Sequence, residues 1–239
     1  MPEPVDAQDI AENVRSLRAR LDDAARRANR DPASVRLVAV TKTKPAWMVK
    51  AAHDAGCTVF GENYVQEALA KQDELAGLAA EWHLVGALQS NKAKLVVGRF
   101  SLLHALDSAK LAAELDKRAA AKDVARVDVL LEVNVAGEST KAGVAPEDVP
   151  ALLESVRALS RVRVRGLMAM PPPEDAESNR PRFRALAELA AKMRAAHLLA
   201  DDAMELSMGT TSDFEAAVEE GATLVRVGTA LFGPREART

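Results

Sequence analysis

Apolar residues fall in short runs along this chain, each followed by a polar break and then by apolar positions at helical spacing. The clearest run is Val35-Arg36-Leu37-Val38-Ala39-Val40, which passes through Thr41 into Lys42-Thr43-Lys44-Pro45. A nearly unbroken β-branched and apolar stretch of this kind predicts a strand buried on both faces, as in a parallel sheet. Such runs predict strands at 35–42, 58–62, 82–86, 102–106, 127–134, 163–169, 204–208 and 223–227. Helical patterns lie between them, near 45–55, 63–76, 90–97, 108–121, 146–159, 177–198 and 212–220, with a last short helix from Ala230 to Phe232. Ahead of the first strand, Ile10, Val14, Leu17 and Leu21 mark an amphipathic helix over about residues 6–29.

Strands alternating with helices call for a parallel sheet with right-handed crossovers. Eight such units in about 200 residues fit a (β/α)8 TIM barrel of the α/β class better than an open doubly wound sheet. The open sheet stays as the alternative, since the third and fourth strands are short and weakly apolar. No low-complexity linker divides the chain, so 1–239 reads as one domain with its N-terminal helix packed on the barrel flank. Pro171-Pro172-Pro173 stiffens the loop after the sixth strand.

Composition narrows the partners. At 239 residues and 48% hydrophobic content the chain can bury a sizeable core, and a net charge of -3 provides no broad basic field for nucleic acid or an anionic membrane. A single cysteine, Cys57, excludes an internal disulfide and reads as a small buried residue. The segment from Met1 to Arg15 lacks a signal-peptide core, and no apolar stretch approaches a membrane span, so a cytoplasmic protein is expected. His53 and His104 read as structural histidines, and no spacing suggests a metal site.

In a barrel of this kind chemistry gathers at the carboxyl ends of the strands. Lys42 and Lys44 follow the first strand there. Two ammonium groups at one opening repel each other, which lowers a lysine pKa and frees an amine to condense with an aldehyde. Lys42 is the candidate nucleophile; solvated strand-end lysines are the other reading. Glu62 and Glu67, near Asn63 and Tyr64, follow the second strand as pocket carboxylates or as a solvated helix start. Thr210, Thr211 and Ser212 lead into a helix after the seventh strand, and Gly228 and Thr229 open another after the eighth. Amides and hydroxyls at two adjacent helix starts describe a phosphate cradle, although each alone equally describes an ordinary cap. With Arg226 ending the eighth strand, the set suits an aldehyde that carries a phosphate, and pyridoxal phosphate (PLP) is such a group.

The runs AVTKTKP (39–45), FGENYVQEA (60–68), WHLVGALQSNK (82–92), RGLMAM (165–170), SMGTTSDFEAA (207–217) and VRVGTALFG (225–233), in this order, resemble the YggS/PROSC family of pyridoxal phosphate homeostasis proteins across about residues 10–235. The resemblance implies a barrel like the N-terminal domain of alanine racemase, a fold type III PLP protein, with PLP held as an internal aldimine on Lys42. By position it implies Thr211, Gly228 and Thr229 at the phosphate and Arg226 at the pyridine nitrogen. Asn63 and Met168 would lie near the ring, His83 at its margin, and Lys141 near the pocket. One departure is Gly209-Thr210-Thr211, where the family commonly reads Gly-Met-Ser.

The function this implies is PLP homeostasis: a monomer that buffers the vitamer or delivers it to PLP-dependent apo-enzymes, without robust turnover. Lys44 and Lys141 would be relay amines for release. The alternative is an amino acid racemase, which in related enzymes takes its second acid/base group from a further β domain. This chain stops at Thr239, and its single tyrosine, Tyr64, follows the second strand. A class I aldolase-like enzyme and a plain binder of phosphorylated metabolites are the remaining readings.

Overall fold

A computed structural model describes residues 5–137 and 142–234. The first helix, α1 (Ala7–Arg27), begins at a reciprocal cap: the Asp6 carboxylate accepts from the amides of Gln8 and Asp9, and the Asp9 carboxylate accepts from the amide of Asp6. Its Ile10, Val14, Leu17 and Leu21 face inward as the spacing predicts.

Eight parallel strands follow: β1 (Arg36–Val40), β2 (Val59–Glu62), β3 (Glu81–Leu84), β4 (Leu102–Leu106), β5 (Val127–Glu132), β6 (Val162–Met168), β7 (Glu205–Ser207) and β8 (Leu224–Val227). They pair in sequence order, and β8 closes on β1 with Val38 opposite Arg226, so the sheet is a closed barrel and not the open alternative. The helices α2 (Ala46–Asp54), α3 (Val65–Glu74), α4 (Ala93–Val96), α5 (Ala109–Ala121), α6 (Val149–Arg157), α7 (Ala176–Ala195), α8 (Phe214–Glu219) and α9 (Thr229–Phe232) form the outer layer. Across α2, α8 and α9 lies α1.

Alternation along each strand separates two cores. Residues turned outward join one large apolar layer beneath the helices. Val38, Val40, Val59, Val85, Leu102, Ala105, Leu130, Met168 and Leu224 fill the barrel interior. The same inward positions carry His83, His104, Glu132, Ser207 and Arg226, all buried.

Most expected element boundaries shift slightly, and three of the changes affect the site or the kind of element. The first strand ends at Val40, because the chain turns at Lys42-Thr43. The expected helix at 90–97 is a 3-10 turn, Ser90–Lys92, followed by the single turn of α4. The expected helix at 146–159 begins with a 3-10 turn at Pro146–Asp148 and is α-helical from Val149.

Ile10 is fully buried under α1. Ile10→Ala should therefore lose about 3 kcal/mol of stability, read as a lower urea midpoint at unchanged slope. Glu12→Ala, on the solvated face of the same helix, should stay within about 0.5 kcal/mol of the parent.

Candidate functional site

At the carboxyl end of β1 the ladder runs one residue beyond the strand, with the Thr41 amide donating to the Gly61 carbonyl at 3.0 Å. The Lys44 amide then donates back to the Thr41 carbonyl at 3.0 Å, and Lys42 sits half-buried in the turn that results. Thr43 has a φ of 63°, a conformation that a β-branched residue adopts only when its surroundings impose it.

What imposes it is a buried cation that no motif announced. Lys71 on α3 is 6% exposed, and its ammonium donates to the Thr41 carbonyl at 2.6 Å, to Glu62 Oε1 at 2.6 Å and to Glu67 Oε1 at 2.7 Å. Glu62 Oε1 also accepts from the Thr41 hydroxyl at 2.6 Å, and Glu67 Oε1 accepts from the Thr43 amide at 2.5 Å. The residues on both sides of Lys42 are thus tied to one ion cluster. Burial pushes the Glu62 carboxyl above the ordinary glutamate range, against the downward pull of Lys71. Glu62 and Glu67 are therefore braces of the lysine turn.

Lys44 is placed differently from the expectation of two competing amines. Its ammonium donates to the carbonyls of Phe232 at 2.8 Å and Pro234 at 2.9 Å, at the C-terminal end of α9, where a cation meets the helix dipole. It is a tether between the first and last units of the barrel. Lys141 lies outside the described residues.

Arg226 enters the barrel from β8 and is 3% exposed. One Nη donates to the Ser207 hydroxyl and the other to the Ala169 carbonyl at 2.9 Å, while Nε is buried with no partner. Burial lowers its pKa to about 10, with Glu132 and Asp213 pulling the other way, so it stays cationic at neutral pH. Met168, 2% exposed, lies beside Ser207 in the strand register. His83 is 1% exposed inside the barrel, bonded to His104.

The two helix starts do meet. Gly209 takes a φ of 87°, and a Cβ there would fall 2.6 Å from Ala217 Cβ and 3.0 Å from Phe214 Cα, so only glycine lets the β7 loop fold down on α8. The Ala230 amide of α9 then faces Thr211 Oγ1 at 3.5 Å. Thr210 is withdrawn from any cradle, because Asp213 Oδ1 accepts from its amide at 2.7 Å and its hydroxyl at 3.1 Å. That carboxylate is held in turn by Asn179 Nδ2 at 2.9 Å. Gly86 serves the opposite side: a Cβ would fall 2.5 Å from the Asn63 carbonyl, so the loop after β3 packs directly on the Asn63 backbone. The Asn63 side-chain oxygen is buried with no partner.

The remaining candidates play other roles. Tyr64 is exposed on the rim, ahead of α3. His53 pairs with the Ala79 carbonyl at 3.2 Å. Burial pushes the Cys57 thiol up to about 11, which leaves it inert near neutral pH. Among the described residues no cluster could hold a metal ion, and no helix is long and apolar enough to cross a membrane.

Comparison with known proteins follows the same lines. The family model of the alanine racemase N-terminal domain matches residues 5–236. A pyridoxal phosphate homeostasis protein of Pseudomonas aeruginosa is 48% identical over 230 residues, covering 95% of this chain and 96% of that one. PipY of Synechococcus elongatus PCC7942, solved with PLP bound, superimposes with a TM-score of 0.81 at 40% identity, over 94% of this chain and 100% of that one. Alanine racemase of Corynebacterium glutamicum aligns with a TM-score of 0.75 at 17% identity, over 96% of this chain and 61% of that one, a likeness of fold alone.

Lys71→Met removes the one cation bonded to Glu62 among the described residues and should destabilise the protein by about 3–5 kcal/mol, with Lys71→Met/Glu62→Gln recovering part of it. In Lys71→Met the loss should be larger at pH 8 than at pH 5. Burial raises the Glu62 pKa and so favours its uncharged form toward lower pH, and the cost of leaving it without Lys71 grows as pH rises. Urea melts of the three proteins at both pH values measure this; equal losses at the two pH values would place the cost elsewhere.

Proposed function

The chain belongs to the family of pyridoxal phosphate homeostasis proteins, and from that premise we propose that it holds PLP at the carboxyl end of its barrel, buffering the vitamer and passing it on. The observation that carries the reading is the pairing of two features at that one end: a lysine turn braced by a buried ion cluster, and a buried arginine with one donor unpaired.

The residues fit the group. Lys42 would supply the amine, Thr211, Gly228 and Thr229 the phosphate contacts, and Met168 apolar packing beside the ring. The buried and unpaired Arg226 Nε–H suits a ring nitrogen that accepts, and the buried Asn63 oxygen is likewise without a partner. Bound there, the group supplies a reactive aldehyde and an electron-poor ring. The chain's own part is to keep the Lys42 turn rigid and to hold a permanent cation at the far end of the ring. A cation there opposes protonation of the ring nitrogen, which weakens the electron sink that transamination and decarboxylation need. The reading is accordingly a holder and not a vigorous catalyst.

The finer reading is a cytoplasmic monomer that hands PLP to PLP-dependent apo-enzymes. A free aldehyde reacts with any amine it meets, so keeping it on a lysine until a recipient takes it is a chemically useful task. In a release relay Lys141 would act from the loop after β5. Lys44 would join only by leaving the carbonyls of Phe232 and Pro234.

Purified protein incubated with PLP should absorb visible light. Borohydride should fix one PLP on the chain, mapping by peptide mass to Lys42, and Lys42→Ala should lose at least nine-tenths of that adduct. A colourless parent protein, or a label spread over surface lysines, would sink the proposal. Loss of the alanine α-proton to solvent deuterium, with change of handedness, would replace it with a racemase.

A further inference from the structure

A line of polar side chains runs through the barrel interior from its base to Arg226. Arg226 Nη1 donates to Ser207 Oγ, Ser207 Oγ lies 2.9 Å from His104 Nδ1, and His104 Nε2 lies 3.0 Å from His83 Nδ1. His83 Nε2 faces Glu81 Oε2 at 3.6 Å, and Glu81 is paired with Arg36 at 2.9 Å. Arg36 and Glu81 line a pocket of about 360 Å3 at the opposite end of the barrel, with Arg18, Asp22 and Thr58. Ser207, His104 and His83 are each at most 1% exposed.

The two ends dictate the direction of the bonds between them. A guanidinium can only donate, so Ser207 accepts from Arg226, and its own hydrogen finds an acceptor at His104 Nδ1. A neutral imidazole that accepts at Nδ1 carries its hydrogen on Nε2, so His104 donates to His83 Nδ1. By the same rule His83 presents Nε2–H to the Glu81 carboxylate. The reverse order would aim a His83 lone pair at that carboxylate and leave the Ser207 hydrogen without an acceptor.

We propose that Ser207, His104 and His83 are positioning residues: a one-way chain of donated hydrogen bonds that holds the Arg226 guanidinium in place, with Nε–H left as the donor for the bound ring. Both histidines serve this as neutral rings. Burial lowers the pKa of each, and for His104 the neighbouring His83, Arg226 and Arg36 lower it further. Glu81 and, more weakly, Glu205 favour charge on His83, against Arg36. Glu81 itself is held at about 2 by His83 and Arg36 against the opposing effect of its burial, so the acceptor end stays ionised. This assignment rests on the proposed PLP site only for its purpose; the chain of tautomers exists without any ligand.

The first arm of the test uses PLP-free protein. Long-range proton–nitrogen NMR, with the four histidines assigned by replacing each with Gln, should show His83 and His104 neutral and protonated on Nε2. They should stay so at pH 6, below the ordinary histidine pKa of about 6.5. A charged ring, or a hydrogen on Nδ1 of either, overturns the proposal whatever the protein binds.

The second arm uses Ser207→Ala with PLP. It should hold PLP about tenfold more weakly, the size expected for one lost hydrogen bond to a charged group. Its visible band should titrate between pH 6 and 9 where the parent's does not, and Ser207→Thr should restore the parent's profile. A Ser207→Ala protein with the parent's affinity and pH profile overturns the positioning role even if the tautomers are as expected. Should Ser207→Ala fail to fold, the first arm still decides. A parent protein that takes up no PLP refutes the proposed function and leaves the histidine result standing.

Discussion

A closed eight-stranded barrel is only as wide inside as its own side chains, and each polar group placed on its axis must find a partner on that axis. This constraint governs how the protein handles its buried charges. Arg226 projects into the interior, where its partners among the described residues are neutral groups: the Ser207 hydroxyl, the Ala169 carbonyl and the Met170 sulfur. Lys71 lies outside the strands, between α3 and β2, where helix and strand can each supply a carboxylate. The first cation is satisfied by neutral groups and the second by anions.

That difference separates their tasks. Three anchors fix Lys71: the Thr41 carbonyl, Glu62 and Glu67, and through Thr41 and Thr43 it fixes the backbone that carries Lys42. Breaking a compensated buried pair strands a charge, so the turn is stiff. Arg226 keeps its charge uncompensated by any carboxylate within bonding distance, with Nε open. A buried cation surrounded by dipoles keeps a strong local field, because no counter-charge within bonding distance cancels it.

The strand runs and the first helix were legible because burial on both faces leaves an unbroken apolar signature, and an amphipathic helix leaves a 3.6-residue one. Lys42 and Arg226 draw the eye in the sequence because each stands at the end of such a run. Lys71 does not, although a signal exists: Val65, Ala68 and Lys71 fall at i, i+3 and i+6 on the buried face of α3, so a lysine stands among core positions. Lys44 misled because a strand-end lysine looks the same whether it borders a pocket or caps a helix 188 residues away. Thr210 misled because an Asp three residues on can claim the same amide a phosphate would use. His83 and His104 lie 21 residues apart in sequence and meet only through the register of β3 against β4.

Position on the barrel, more than residue type, decides what each polar group here can do. An arginine at the carboxyl end of β8 would be an ordinary solvated charge on an open sheet; inside a closed barrel it is desolvated, held cationic and aimed by its neighbours. The same closure explains why the phosphate candidates come from β7 and β8, beside β1. Only when β8 pairs with β1 does Gly228 lie against the end of β1, where a Cβ would fall 3.1 Å from the Val40 carbonyl, and the Lys44 tether to Phe232 and Pro234 clasps that seam from outside. The Lys42 turn and the two helix starts after β7 and β8 stand at opposite ends of the sequence, so the barrel's closing seam is what brings them side by side.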